Sequence, residues 1–352
     1  MKKYRAIGIM SGTSLDGLDI VLCEFEKKGY SWDFSILEAD TLTYSKEWKQ
    51  KLLKAPHISG LELCRLDNDY GTFIGESIKN FLKSKKIKID LIASHGHTLF
   101  HQPSDGLTFQ IGNGANIASA TTITTVCNFR ALDVALKGQG APLVPIGDLM
   151  LFPEYYYCLN MGGFANISYT WYKKRLAFDI CPVNIIINKL ANEIGKEFDQ
   201  DGRIAGTGKV HQDLLILLNK ITFYFVKPPK SLSREWVEKE FIPIIEKYNI
   251  SIEDKLRTIY EHIAKQINRT LDSPVKKKIL VTGGGAYNKF LIGLLKEKSH
   301  HQFVIPDPIL VEYKEALIFA FLGTLRLRHE NNCLSSVTGA SHDNIGGVIY
   351  RI

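Results

Sequence analysis

The residue types best suited to chemistry in this 352-residue chain fall in five glycine-rich strings: MSGTSLDGLD, FQIGNGAN, GQGAP, NMGGFAN and VTGGGAYN. Glycine permits positive φ and close approach of a ligand to the main chain, and consecutive amide N–H groups in such turns form anion-binding nests. One such string alone reads as a sharp hairpin. Several at the ends of apolar strands point to phosphate recognition. In the first string, Gly12, Thr13, Ser14 and Gly17 offer main-chain N–H groups and two hydroxyls to β and γ phosphates. Asp16 and Asp19 add carboxylates of the kind that a hydrated Mg²⁺ uses beside phosphate oxygens. For Asp19 a turn-side hydrogen bond is an equally good reading. Two familiar nucleotide motifs are excluded. Gly206, Gly208 and Lys209 are followed by Val210 where a P-loop needs Ser or Thr, and Asn288 stands where a dinucleotide fingerprint would need a third glycine after Gly285.

The strings sit on an alternating frame. Tyr4 to Met10 and Leu18 to Phe25 read as strands around a tight turn, Trp32 to Thr43 as a third strand, then a helix from Lys46 and a longer one capped by Ser59. Asp90 to Ala93 is a short strand that delivers SHGHTLFHQP, and NFRALDVALKGQGAPLVP is an irregular loop with three charged side chains. From Tyr155 the order strand, glycine turn, strand, strand, helix repeats, about 150 residues after the first, which argues for two related halves. Later come a helix over Ser251 to Leu271, a strand over Lys278 to Thr282 and a helix over Lys314 to Leu327.

Composition fits this frame: 45% hydrophobic, 23% charged and 11% aromatic residues exclude disorder and low-complexity architecture. The formal charge of +7 suits anionic small ligands and is too diffuse to argue for nucleic acid. The six cysteines form no C-x-x-C pair, so neither a zinc site nor a disulfide framework is expected, and reduced thiols in the cytoplasm are the default. The apolar run at the N-terminus stops too early for a secretory signal, and no apolar stretch is long enough to span a membrane.

GIMSGTSLDGLD, SHGHTLFHQP, FQIGNGANIA, NFRALDVALKGQGAPLVP, LNMGGFANIS, VTGGGAYN, EALIFAFL and SVTGA, running in order from Gly8 to Ala340, resemble the anhydro-N-acetylmuramic acid kinases. The resemblance implies an α/β protein of the actin, sugar-kinase and heat-shock-chaperone ATPase superfamily. Its two RNase H-like domains would be residues 1–150, with 330–352 packing back on the first, and 151–329, with the active site in the interdomain cleft. It implies ATP and Mg²⁺ as cofactors, small-molecule substrates, and an assembly compatible with a homodimer. The implied reaction, a step in peptidoglycan recycling, opens 1,6-anhydro-N-acetylmuramic acid with water and phosphorylates O6, giving N-acetylmuramic acid 6-phosphate.

By position in the matching strings, Asp179 is the base that activates water, with a helix N-cap as the competing reading. His95, Gln110, Arg130 and Glu315 would bind the sugar. The ATP end would use Gly12 to Asp19, Leu15 and Leu18 included, with Asn160, Gly162 and Gly163 opposite, and Gly206, Gly208, Gly283, Gly284 and Gly285 near adenosine. Ile180-Cys181-Pro182-Val183 stands where that family usually has Thr-Gly-Pro-Gly after the catalytic Asp, so two glycines and a hydroxyl are lost while Pro182 is kept, leaving Cys181 as a thiol near the site. Lys137, His97 and Asp148 are further departures. A nucleotide-binding regulator without sugar turnover and a related N-acetylhexosamine kinase are the alternatives.

Overall fold

A computed structural model describes residues 1–352 apart from Met1, Thr13, Ser14, Tyr30 and Lys86. The chain divides into two compact units, Met1–Phe152 with Tyr313–Ile352, and Pro153–Glu312.

The first unit is built on a sheet of β1 (Lys3–Ser11), β2 (Gly17–Lys28), β3 (Ser31–Thr43), β4 (Leu91–Gln102), β5 (Leu107–Ile111), β6 (Thr125–Cys127) and β12 (Val348–Tyr350), in the order β12-β6-β4-β1-β2-β3 with β5 paired to β4. Strands β1, β2 and β3 form an antiparallel meander, while β4 and β6 continue parallel to β1. The second unit carries β7 (Tyr157–Met161), β8 (Phe164–Trp171), β9 (Lys174–Pro182), β10 (Lys278–Thr282) and β11 (Gln302–Val304), ordered β11-β10-β7-β8-β9. Again three antiparallel strands are followed by two parallel ones, so the repeat read in the sequence is a repeat of strand order.

Helices seal the sheets for readable reasons. In Gly60–Leu82, Ser59 and Glu62 form a reciprocal capping box, and Leu66, Tyr70, Ile74 and Ile78 recur at helical spacing to pack on Ile7, Ile9 and Leu22. The helix Pro308–Leu327 is nearly apolar from Ala316 to Leu322 and lies so close to β1 that a Cβ on Gly8 would stand 1.9 Å from the Ala316 carbonyl oxygen. Phe321 packs on Phe25 and Phe319 on Phe129, with ring centroids 5.4 and 5.6 Å apart. This packing brings the return to the first unit at Tyr313 inside the helix, earlier than the boundary near residue 330 set from the sequence.

Strand β4 also runs further than Asp90 to Ala93. It continues to Gln102 and turns back through Gly106, at φ 72°, into β5, so SHGHTLFHQ is strand rather than loop. The irregular NFRALDVALKGQGAPLVP segment contains the short helix Ala131–Ala135 and the start of Val144–Leu151. No helix among the described residues is long and apolar enough to cross a membrane.

Candidate active site

In the first unit the opening glycine string joins β1 to β2. The Leu15 N–H donates to the Gly12 carbonyl at 3.3 Å, and Leu15 holds φ 59°, a left-handed conformation unusual for a leucine. Thr13 and Ser14 lie outside the described residues. Leu18 is wholly buried in the core, so only its main chain is available to a ligand. A Cβ on Gly17 would come within 2.7 Å of Thr41 Cγ2, which makes close packing on β3 the reason for that glycine. Asp16 is exposed, whereas Asp19 accepts a hydrogen bond from the Thr41 hydroxyl at 2.7 Å. Among the described residues no cluster of three or more His, Cys, Asp or Glu side chains could hold a metal. Two carboxylates at a hairpin end nevertheless fit Mg²⁺, which takes one or two carboxylates, phosphate oxygens and water in preference to an all-protein cage.

Below the hairpin lies a chain of polar groups. The Tyr44 hydroxyl donates to Ser11 Oγ at 2.7 Å, Ser11 Oγ meets His97 Nδ1 at 2.9 Å, and Tyr44 and Tyr70 share a 2.6 Å hydrogen bond. Burial pulls the His97 imidazole down to about 4, so it is neutral near pH 7 and braces the hairpin without adding charge.

Arg130 follows β6 and is gripped from two sides. Its Nε and Nη2 approach His95 Nε2 at 3.1 and 2.8 Å, and its Nη1 donates to the Gly140 carbonyl at 2.7 Å. With His95 Nδ1 directed at the Gly96 carbonyl at 2.9 Å, the proton belongs on Nδ1 and Nε2 accepts. Burial, reinforced by the Arg130 charge, holds His95 well below its ordinary pKa and therefore neutral. Both ring nitrogens of His95 are thus committed, and its observed task is to hold Arg130. Burial lowers Arg130 to about 10, which leaves it cationic at neutral pH.

Gly140 is itself held: its N–H donates to Asp133 Oδ2 at 2.8 Å, while Asp133 Oδ1 accepts from the Cys333 thiol, the Thr338 hydroxyl and the Asn344 amide at 2.9, 2.8 and 2.9 Å. This fully buried carboxyl, which the sequence reading left unassigned, ties the Arg130 loop to the C-terminal segment.

Gln110 lies on β5 and donates to Thr108 Oγ1 at 2.8 Å. Solvent reaches Glu315, yet crowding by surrounding atoms raises its carboxyl above the ordinary value, with Arg130 and Lys314 pulling it down and Asp19 pushing it up. Arg130, Glu315 and Asp19 therefore share one electrostatic neighbourhood. The next residue toward the N-terminus, Lys314, forms a buried ion pair with Asp148 at 2.7 Å.

In the second unit Asp179 lies near the end of β9. Its register partner on β8 is Asn166, while Cys181 pairs with Ala165, so Ile180 is the extra residue of a β-bulge. Bulges bend a strand and re-aim side chains beside sites. The Asp179 N–H donates to the Lys230 carbonyl at 3.1 Å, and its Oδ2 accepts from the Leu232 N–H at 2.8 Å. Burial raises the Asp179 carboxyl and the Leu232 hydrogen bond lowers it, with burial the larger effect.

The N-cap alternative for Asp179 fails. The helix Asn184–Asn192 begins after Val183 without a side-chain cap, and the N–H groups of Val183, Asn184 and Ile185 donate to the carbonyls of Gly163, Gly162 and Gly163 at 2.8, 3.2 and 3.3 Å. Ile180, Cys181 and Val183 are core residues, and burial lifts the Cys181 thiol far above its ordinary range. That cysteine is therefore an inert packing group.

The remaining glycines sort into two kinds. Gly283, at φ 79°, and Gly285 press on Asn160 and Met161, and a Cβ on Gly208 would lie 2.1 Å from the Glu253 carbonyl oxygen. Gly162, Gly163, Gly206 and Gly284 have no neighbour closer than 3.5 Å to a Cβ. Local packing explains the first group and leaves the second open to a ligand. Asn160, at the end of β7, accepts a weak hydrogen bond from Thr282 at 3.4 Å.

Residues 4–352 match the family model described as anhydro-N-acetylmuramic acid kinase. The chain is 32% identical over 379 residues to the anhydro-N-acetylmuramic acid kinase of Caldanaerobacter subterraneus subsp. tengcongensis, covering 97% of this chain and 96% of that one. It is 33% identical over 378 residues to the enzyme of that name from Francisella tularensis subsp. novicida, covering 99% of each. Among solved structures, the activator of the 2-hydroxyisocaproyl-CoA dehydratase from Clostridium difficile with bound ADPNP aligns with a TM-score of 0.45 and 14% identity, over 92% of this chain and 97% of that one. With a match that spans both units and the glycine strings alike, the chain belongs to the anhydro-N-acetylmuramic acid kinase family.

Proposed function

We propose that the chain is an ATP-dependent kinase that opens 1,6-anhydro-N-acetylmuramic acid and transfers the γ-phosphoryl group to O6. Family membership supplies the substrate and reaction class. The observation that carries the mechanism is the state of Asp179: a half-buried carboxyl with one oxygen held by a main-chain N–H, the other accepting no hydrogen bond from the described residues, and a proton affinity raised by burial. A base shifted toward neutrality in this way is matched to taking a proton from water.

Asp179 removes a proton from a water molecule whose oxygen forms the new bond to the anomeric carbon. The C1–O6 bond breaks, and O6 leaves as the nucleophile for the γ-phosphorus. The terminal P–O bond of ATP then breaks and ADP departs. Arg130, held rigid and cationic, meets either the lactyl carboxylate or the transferring phosphoryl group, both of which suit a guanidinium. Glu315 accepts from a sugar hydroxyl. Gly12 to Asp19 and the open glycines Gly162, Gly163, Gly206 and Gly284 present main chain to the nucleotide. When bound, Mg²⁺ near Asp16 and Asp19 supplies charge neutralisation at the β and γ phosphates.

The common strand order of the two units supports reading both as RNase H-like domains. The N-acetylhexosamine alternative is tested by comparing acceptors with and without the lactyl group. The deciding assay mixes protein, ATP, Mg²⁺ and 1,6-anhydro-N-acetylmuramic acid and follows ADP. Sugar-dependent ADP well above an Asp179→Asn control is expected. Its absence sinks the kinase reading in favour of a nucleotide binder without turnover.

A further inference from the structure

Asp179 is held by main chain from a segment some fifty residues later, and that bracket distinguishes its two oxygens. The strand bulge at Ile180 turns the side chain out of regular alternation. The Lys230 carbonyl takes the Asp179 N–H, and the Leu232 N–H reaches Oδ2, so residues 230–232 fix both the backbone and the carboxyl of one residue. Oδ1 accepts no hydrogen bond from the described residues.

We infer that the main-chain N–H of Leu232 is the positioning group of the general base, locking Oδ2 so that Oδ1 is the atom that takes the proton from water. This rests on the reading of Asp179 as the base. The proton transfer breaks a water O–H bond and forms an O–H bond on Oδ1; the hydroxide oxygen goes to the anomeric carbon.

The same N–H opposes the effect of burial, because a donor to the ionised form favours that form. Few other groups tune Asp179. The Cys181 thiol beside it stays protonated, and the Lys230 ammonium is drawn off to the Phe223 carbonyl and the rings of Phe178 and Phe223. Among the described residues, the causes of the Asp179 shift are burial and the Leu232 N–H, with no charged side chain among them. Removing one hydrogen bond should therefore move both the orientation and the titration of this carboxylate.

The test removes that N–H alone, by amide-to-ester exchange at Leu232 with the hydroxy acid analogue of leucine, alongside Leu232→Pro and Leu232→Ala. Steady-state rates are measured across pH with ATP, Mg²⁺ and the anhydro sugar. One hydrogen bond to a charged group corresponds to about 10-fold to 100-fold, so the ester should lose kcat by that order with KM for ATP unchanged. Its acid limb should move to higher pH. Leu232→Pro should behave alike if it folds. Leu232→Ala, which keeps the N–H, should stay within about 3-fold of the parent with the same profile, a surface-type effect.

An ester variant with parental kcat and an unmoved acid limb overturns the inference. Asp179→Asn separates this from failure of the underlying reading. If that variant retains sugar-dependent turnover, Asp179 is not the base and the reading itself falls; if it is inactive while the ester is unaffected, only the role of Leu232 falls.

Discussion

Arg130 and Asp179 are both charged side chains held in place, by opposite means. The guanidinium is gripped by the His95 ring and by the Gly140 carbonyl, and Gly140 is held in turn by the Asp133 side chain, with Cys333, Thr338 and Asn344 behind it. Asp179 is gripped by main chain alone: the Lys230 carbonyl accepts its N–H, and the Leu232 N–H donates to its carboxyl. A side-chain anchorage can be broken link by link through ordinary substitution, and each link imposes a residue type. A main-chain anchorage tolerates almost any residue at Leu232 and imposes no signature.

The largest effect should come from Asp179 itself. Asp179→Asn removes the base and should lower kcat by about 10² to 10⁴-fold. In the parent, activity requires the ionised carboxylate, so it should fall as pH drops through a pKa that burial has raised above the ordinary Asp value. A kcat/KM profile with an acid limb at or below the ordinary range contradicts that account.

Breaking the side-chain anchorage comes next. In Asp133→Asn, the new NH₂ must face either the Gly140 N–H or the Asn344 amide. The loss should be about 1–3 kcal/mol, seen as a lower urea midpoint. KM for the sugar should rise more than KM for ATP, because Gly140 holds Arg130. His95→Ala removes the acceptor that Arg130 Nε and Nη2 share, together with the ring's contact with Phe319, and should raise the sugar KM by about 10-fold or more, as loss of hydrogen bonding to a charged group implies. Equal effects on both KM values, or a fall in kcat with the sugar KM unmoved, would place Arg130 on the transferring phosphoryl group and not on the lactyl carboxylate.

The smallest effect concerns the thiols. Exposed Cys64 should react with a maleimide under native conditions, while Cys181, buried with its thiol held protonated, should remain unlabelled and leave activity unchanged. Labelling of Cys181 before unfolding would show that the strand end around Asp179 opens.

Much of the frame was legible because it rests on periodicity and residue type. The strand–turn–strand pattern, its echo from Tyr155 and the Ser59 helix cap follow local rules. The glycine strings were found for the same reason, although packing explains Gly17, Gly208, Gly283 and Gly285 as well as any ligand would. The bulge at Ile180 and the donor from Leu232 leave no mark, since a register shift and an amide N–H are available to nearly every residue. Asp133 was visible only as one charge in a glycine-rich loop; its partners lie about two hundred residues away. The extent of β4 was missed because SHGHTLFHQ lacks strand alternation, and β5 supplies the pairing that makes it a strand.

One consequence of the divided first unit concerns the order in which the molecule can be made. Strand β12, residues Val348–Tyr350, closes the edge of a sheet whose first strand begins at Lys3, and the helix that covers Gly8 belongs to the sheet only from Tyr313 onward. Everything from Pro153 to Glu312 is translated in between. Of the two units, the one whose synthesis begins earlier is thus completed later, and its half-built sheet must wait, unpaired at β6, until Val348–Tyr350 arrive.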